Sequence, residues 1–211
     1  GKSSLLFMLL IVLALGVFTP GVQASCTPAD ADNHRDCTGN TVSVGSAPSV
    51  TGDGSITASG TVTSVTGNGL RIKGSGWILS YVTLTSTPLG NGIMIDGDGF
   101  ILSRGVIVAG NNGISIGGNG VVVNEGAIGA GNNGINIGGN GVVLNEGAIG
   151  AGDDGIGIGG DGVVLNWGAI GAVGDGIIIG GSGFVYNAAG ILAGNDGIHV
   201  KEEGLVINTA D

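Results

Sequence analysis

Two sets of acidic and amide residues recur next to glycine along the sequence, and stacking of either set could create a cation site. If their members lay about 4.8 Å apart, as residues on adjacent strands do, the carboxylates would repel each other and Ca²⁺ could relieve that repulsion. Asp and Asn also precede Gly simply because both residues suit turns, and this interpretation is the simpler one. The calcium candidates are Asp154, Asp161, Asp175 and Asp196. The two sets are Asn112, Asn133, Asp154, Asp175 and Asp196, and Asp98, Asn119, Asn140, Asp161, Ser182 and Glu203.

One pair of aspartates suggests a second chemistry, the hydrolysis of a polysaccharide. Asp154 and Asp196 would lie roughly 9.6 Å apart across two strand spacings, which is near the carboxylate separation of an inverting glycosidase. Both residues occupy repeated positions, however, and no cluster of Lys, Arg or His accompanies them. Catalysis needs one unique, preorganised pocket. We therefore expect no catalytic residue and no cofactor other than the calcium considered above, and we expect His34 and His199 to be isolated surface or cap residues.

A sequence repeat must position all of these residues. Ala109–Gly129 reads AGNNGISIGGNGVVVNEGAIG, and closely similar units begin at Ala130 and Ala151. The Asn or Asp before each Gly-hydrophobic step recurs first after 23 residues and then every 21 residues. Near-identity at a fixed spacing indicates one small unit stacked on copies of itself, here about seven times. The polar stretch Thr85–Pro88 accounts for the longer interval as a loop that enlarges one turn.

The repeat predicts an all-β fold, a right-handed parallel β-helix of about seven 21-residue turns with three short strands per turn. The 48 glycines punctuate short β-branched runs, which are too short for typical helices. A solenoid explains why the same side chain returns every turn, since like residues stack on like. Its handedness follows from the usual crossover preference. We expect the repeats to occupy residues 51–211 and to be truncated at the C-terminus.

Residue columns predict which side chains face the core. Ile114 and Ile116 and their equivalents flank a variable residue, so alternation places the isoleucines inside. In the second strand the nearly constant middle column, represented by Val122, points inward. Its flanking columns then point outward and form a candidate interaction stripe, unless they face inward instead or another segment covers them. The stripe consists of Trp77, Phe100, Val121, Val142, Val163, Phe184 and Leu205.

A column of asparagines follows the second strand. A buried Asn stack can pass hydrogen bonds from turn to turn and satisfy backbone groups at a corner. We therefore predict a structural Asn ladder at Asn124, Asn145, Asn166, Asn187 and Asn208.

The N-terminal region has the features of an exported protein. Lys2, the apolar run Leu5–Phe18 and Val22–Ala24 have the order of a cleaved signal peptide, so we predict one over residues 1–24. Residues 25–50 are predicted to form an N-terminal cap with a Cys26–Cys37 disulfide, because close cysteine pairs in exported proteins usually form local bridges. The net charge of −10 disfavours binding to nucleic acid or anionic lipid.

The repeats resemble the passenger region of bacterial autotransporters, whose units often run G-I-x-I-x-G-x-G-T-V-x-N-x-G-x-I. Many such passengers also have a signal peptide followed by a short two-cysteine segment, which Cys26 and Cys37 resemble. The resemblance covers about Cys26 to Asp211 and implies a β-helix rod on the bacterial surface, followed by an outer-membrane β-barrel that is not within this chain. The outward threonines of the family are replaced here by Val, Leu, Phe and Tyr. The matching residues of one unit are Gly134, Ile135, Ile137, Gly139, Gly141, Val143, Asn145, Gly147 and Ile149.

We therefore expect an exported, non-enzymatic surface rod that acts in adhesion or self-association, located in the medium or on the bacterial cell surface. Its partners would be a host surface, another copy of the chain or an extracellular polymer, with a membrane reached only through the implied barrel. One alternative is a fragment of a β-helix polysaccharide lyase or hydrolase, which turnover of a uronate polymer would reveal. Another is an extracellular structural or ice-binding solenoid, which thermal hysteresis would reveal.

Overall fold

The structure, a computed structural model, describes Cys26, residues 30–31, 33–37, 40–43, 49–65, 67–86 and 89–210. The predicted signal peptide over residues 1–24 lies outside the described residues. Within the described part of the chain, no helix is long and apolar enough to cross a membrane.

Short parallel strands form the whole of the described fold, as the repeat predicts. The first six are β1 (His34–Cys37), β2 (Asn40–Ser43), β3 (Ser49–Val50), β4 (Gly54–Ser64), β5 (Leu70–Ile72) and β6 (Gly76–Ser86). The next nine are β7 (Ile93–Ile95), β8 (Gly99–Ser103), β9 (Ile107–Ala109), β10 (Ile114–Ile116), β11 (Gly120–Asn124), β12 (Ile128–Ala130), β13 (Ile135–Ile137), β14 (Gly141–Asn145) and β15 (Ile149–Ala151). The last eight are β16 (Ile156–Ile158), β17 (Gly162–Asn166), β18 (Ile170–Ala172), β19 (Ile177–Ile179), β20 (Gly183–Asn187), β21 (Ile191–Ala193), β22 (Ile198–Val200) and β23 (Gly204–Asn208).

The strands stack on three faces of a parallel β-solenoid. Face 1 is the eight-stranded sheet that runs from β3 to β22. Face 2 runs from β8 to β23 and face 3 from β9 to β21, and the long strands β4 and β6 span both of these faces. Equivalent residues pair directly, so Ile114 lies beside Ile135 and Val122 beside Val143. The predicted fold class is therefore confirmed.

The solenoid has about eight turns rather than the predicted seven. The additional turn comes from residues assigned above to the N-terminal cap, because β1 and β2 pair in parallel with β4. The position of the loop that enlarges one turn was also predicted wrongly in part. Thr85 and Ser86 continue strand β6 in register with Val108 and Ala109, so the added residues come after Ser86.

The core is a stack of aliphatic side chains from all three faces. Ile114, Ile116 and Val122 are fully buried and Ile128 is 3% exposed, and the same columns are buried in the turns above and below. The outward residue between the isoleucines varies, as the alternation predicts. Burial of an aliphatic side chain contributes roughly 1.5–3 kcal/mol, so the columns stabilise every interior turn.

Glycine at the corner after face 2 is required by close approach of successive turns. A Cβ atom on Gly147 would overlap the carbonyl oxygen of Gly126 in the turn below. At Gly150 on face 3, by contrast, the nearest atom to such a Cβ atom would be 3.9 Å away. Only the first of these glycines is therefore dictated by contacts within the chain.

The predicted disulfide between Cys26 and Cys37 is present. Cys37 is the last residue of β1 and is 2% exposed, so the bridge ties the segment before the solenoid to the core of its first turn.

Candidate functional site

The candidate functional site is an apolar stripe on face 2, an uninterrupted column of outward apolar side chains. The stripe residues occupy one outward column, in which Val121 pairs with Phe100 below and with Val142 above. Six of the seven are between 36% and 58% exposed, and Phe184 is partly buried. The alternation of Val122 inward and Val121 outward therefore holds in the structure, and none of the described segments covers the stripe.

A second outward column on face 2 broadens the apolar surface. Leu144 and Leu165 of this column are half-buried, and Ile207 in the last turn is 40% exposed. The ring of Tyr186 lies 5.9 Å from that of Trp167, which is itself 46% exposed. The aromatic pair continues the apolar surface around the corner toward face 3.

A polar corner borders the stripe on the side of face 1. We call it corner B; its side chains accept hydrogen bonds from backbone N–H groups one turn above. Asp98 Oδ1 accepts from the N–H of Asn119 at 2.7 Å, and Asn119 Oδ1 accepts from Asn140 at 2.9 Å. A shallow groove lies between corner B and the stripe, with the small residues Gly120, Gly141 and Gly162 along its floor. The residues of corner B are Asp53, Ser75, Asp98, Asn119, Asn140, Asp161 and Ser182.

The corner between faces 3 and 1, corner A, is built in the same way. Asp154 Oδ1 accepts from the N–H of Asp175 at 2.8 Å, and Asp175 Oδ1 accepts from the N–H of Asp196 at 3.0 Å. The two aspartates considered above for hydrolysis, Asp154 and Asp196, thus belong to one ladder with Asp175 between them. Asp161, the fourth calcium candidate, lies in corner B. The residues of corner A are Asn68, Asn91, Asn112, Asn133, Asp154, Asp175 and Asp196.

The Asn column lies inside the third corner, corner C, between faces 2 and 3. Asn145 Nδ2 donates to Asn166 Oδ1 at 2.7 Å and to the carbonyl oxygen of Gly147 at 2.9 Å. The same arrangement joins Asn124 to Asn145, Asn166 to Asn187 and Asn187 to Asn208. The ladder is buried except at Asn208. Below Asn124 the column continues as serine, and Asn124 Oδ1, Ser103 Oγ and Ser80 Oγ are buried without a hydrogen-bond partner.

Two of the basic residues, Arg71 and Arg104, form ion pairs. Arg71 Nη2 lies 2.6 Å from Asp96 Oδ2, and Arg104 Nε lies 2.7 Å from Glu125 Oε2. The hydrogen bond and charge of Glu125 raise the pKa of Arg104 above its usual value. Arg104 also lies over the ring of Tyr81, 5.6 Å from its centre.

One constellation at the base of the stripe was not foreseen in the sequence. His34 Nδ1 lies 2.6 Å from Ser55 Oγ, and His34 Nε2 lies 3.0 Å from Asp36 Oδ1. The three side chains have the connectivity of a nucleophile, a base and an orienting carboxylate. Ser55 is only 6% exposed, however, and it lies between His34 and Trp77 in one column. A nucleophile needs access to substrate, which the burial of Ser55 restricts. Parallel pairing of β1 with β4 creates this arrangement, which the sequence spacing alone did not reveal.

No family model matches the chain, and neither curated proteins nor solved structures give a match.

Proposed function

We propose that this chain is an exported, non-enzymatic rod that uses the apolar stripe for adhesion or self-association, in the manner of an autotransporter passenger. The observation that carries the proposal is the stripe itself, seven successive turns with an outward apolar side chain at one position. Six strand spacings of about 4.8 Å make it roughly 29 Å long. Contiguous exposed apolar surface of this kind marks interaction sites on soluble proteins.

The regular spacing of the stripe favours a straight partner. A second rod presents the same column at the same spacing, and an apolar polymer or host surface can contact successive turns equally. The net charge of −10 opposes approach of a second copy. Since added salt screens repulsion but leaves apolar contact in place, self-association through the stripe becomes stronger as ionic strength rises.

Two further observations support the proposal. The Cys26–Cys37 disulfide favours an oxidising compartment outside the cytosol. The corner carboxylates of Asp98, Asp154, Asp161 and Asp175 accept backbone hydrogen bonds, which gives each of them a structural role.

The test replaces two central stripe residues in the full chain, Val142→Thr together with Val163→Thr. Threonine keeps β-branching, and Thr83 and Thr85 already face outward from β6. Loss of apolar contact at two valines that are 42% and 36% exposed weakens binding by about 1 kcal/mol each, or about thirtyfold in total. Sedimentation velocity across a salt series measures self-association, and adsorption to an alkyl-coated sensor measures adhesion to an apolar surface.

The matched control is Val108→Thr on face 3, where Val108 is 37% exposed. This variant should behave as the parent in both assays. Equal weakening by the control and the stripe variants, or no weakening by either, would refute the role of the stripe. A parent chain that neither associates with itself nor binds the sensor would do the same.

A further inference from the structure

The most unusual cluster of side chains lies at corner A, where a histidine meets two aspartates. His199, the outward residue of β22, has its Nδ1 atom 3.4 Å from Asp175 Oδ2 and 3.6 Å from Asp196 Oδ2. One potential ligand atom from each of the three residues lies within 4.8 Å of the other two. The cluster does not depend on the proposed adhesive function, because it lies on another part of the solenoid.

An equivalent arrangement, built from different side chains, occurs in a lower turn. In the turn of Met94 the outward residue of face 1 also contacts the corner A residue of its own turn and the one in the turn below. Met94 Sδ accepts from Asn91 Nδ2 at 3.2 Å and from Asn68 Nδ2 at 3.4 Å. The outward residues in the next turns are Ser115, Asn136, Gly157 and Ile178. Among the described turns, only the one with His199 places a ring nitrogen against two carboxylates.

The Asp175 carboxylate has one oxygen available to a ligand. Its side chain is only 10% exposed, and Oδ1 accepts the backbone N–H of Asp196 at 3.0 Å. Oδ2 has no hydrogen-bond donor among the described residues, and the 3.4 Å separation from His199 Nδ1 is longer than a normal hydrogen bond. A nearly buried carboxylate oxygen thus faces a histidine nitrogen at ion-pair distance rather than at hydrogen-bond distance.

The two separations between His199 and the carboxylates fit a small divalent ion. Zinc bonds to His nitrogen and carboxylate oxygen at about 2.0–2.2 Å, so two ligands of a tetrahedral site lie about 3.3–3.5 Å apart. The 3.4 Å and 3.6 Å separations at His199 are close to this range. Calcium prefers six to eight oxygen ligands, whereas an imidazole with two carboxylates suits zinc and related transition metals.

We propose that Asp175, Asp196 and His199 form a binding site for a divalent transition-metal ion of the zinc class. The two carboxylates neutralise the charge of the ion, His199 supplies the nitrogen ligand through Nδ1, and water completes the tetrahedron. The ion links two successive turns of the solenoid, because Asp175 belongs to the turn below Asp196 and His199. Of the four calcium candidates, Asp154 and Asp161 take no part in this site.

The test is titration of the full chain with Zn²⁺ at neutral pH by calorimetry, and with Co²⁺ by visible absorption, which reports tetrahedral coordination. Asp175→Asn keeps the ladder acceptor, since Asn133 occupies the same column in a lower turn. His199→Asn likewise introduces a residue that face 1 already carries at Asn136. Each variant should bind Zn²⁺ more than about 100-fold more weakly than the parent. This loss is larger than the one expected when only a residue that supports a metal ligand, and not the ligand itself, is changed.

Two control variants separate this site from other acidic or histidine positions. Asp154→Asn changes the same ladder one turn below, and His34→Asn removes the other histidine; both should bind Zn²⁺ as the parent does. The double variant Ile178→His with His199→Ile should move the site down one turn, where Asp154 and Asp175 supply the carboxylates and the introduced imidazole supplies the nitrogen, and should restore binding.

The proposal is overturned if the parent chain shows no saturable Zn²⁺ binding. It is also overturned if Asp175→Asn and His199→Asn bind Zn²⁺ as tightly as the parent, or if Asp154→Asn weakens binding equally.

Discussion

The lower end of the Asn ladder predicts a stabilising substitution, Ser103→Asn. Asn124 Oδ1, the next position up the column, is buried without a hydrogen-bond partner. In the turns above, every ladder asparagine uses Nδ2 to donate to the Oδ1 atom of the next one. Because Ser103 and Asn124 are paired in the same register, an asparagine at position 103 should donate to Asn124 Oδ1 in the same way.

The expected gain follows from the cost of a buried polar atom without a partner. The substitution satisfies Asn124 Oδ1 and removes the unpartnered Ser103 Oγ, but it places a new Oδ1 atom above Ser80, so the buried column has one fewer unsatisfied polar atom in total. Such an atom costs about 1–3 kcal/mol, and ordering a longer side chain at position 103 costs about 1 kcal/mol. The free energy of unfolding should therefore rise by about 1 kcal/mol. For a chain of 211 residues, that corresponds to an increase of about 2–4 °C in the midpoint of thermal unfolding.

Calorimetry of the full chain, supported by urea unfolding, measures this change. The companion variant Asn124→Ser moves the unsatisfied acceptor up to Asn145 and removes the bond from Asn124 Nδ2 to the carbonyl oxygen of Gly126. It should lower the midpoint. If Ser103→Asn leaves the midpoint unchanged or lowers it, the unsatisfied acceptor of Asn124 does not limit stability, and its predicted cost is refuted.

Two further predictions concern glycine and the disulfide. Gly147→Ala should lower the free energy of unfolding by more than about 2 kcal/mol, because the new Cβ atom overlaps Gly126. Gly150→Ala should be nearly neutral, because its Cβ atom would be 3.9 Å from its nearest neighbour. Equal melting temperatures of the two variants would contradict this. Reduction of the Cys26–Cys37 bridge, which closes a separation of 11 residues, should cost about 3 kcal/mol locally, so hydrogen exchange should increase in β1 and stay unchanged in β17.

Much of the fold could be predicted because stacking imposes a strict period on the sequence. The inward columns of Ile114 and Val122 were assigned correctly from alternation alone, since one buried face per strand fixes the register. The outward direction of the stripe follows from the same rule. The prediction of a loop at Thr85–Pro88 was wrong for Thr85 and Ser86. A polar composition favours a loop, but pairing with β9 holds these two residues in a strand.

The remaining features depend on contacts between turns that cannot be recognised from the repeat pattern in the sequence. Residues 34–37 and 40–43 lack the repeat motif, yet their backbone pairs with β4 and adds a turn. The Asp and Asn residues of corners A and B were assigned to turns, but their use as acceptors for the next turn required the stacking geometry. His199 looked isolated because its two carboxylate neighbours lie 3 and 24 residues before it.

The corner ladders allow the length of the rod to change in whole units. The side chains of corners A and B accept from the backbone of the following turn, so a unit removed or inserted between two similar ones leaves both neighbours with an equivalent contact. Duplication or loss of a gene segment that encodes 21 residues would therefore extend or shorten the protein by about 4.8 Å per unit. The length of the rod can thus evolve without a change in the type of residues on its lateral surface.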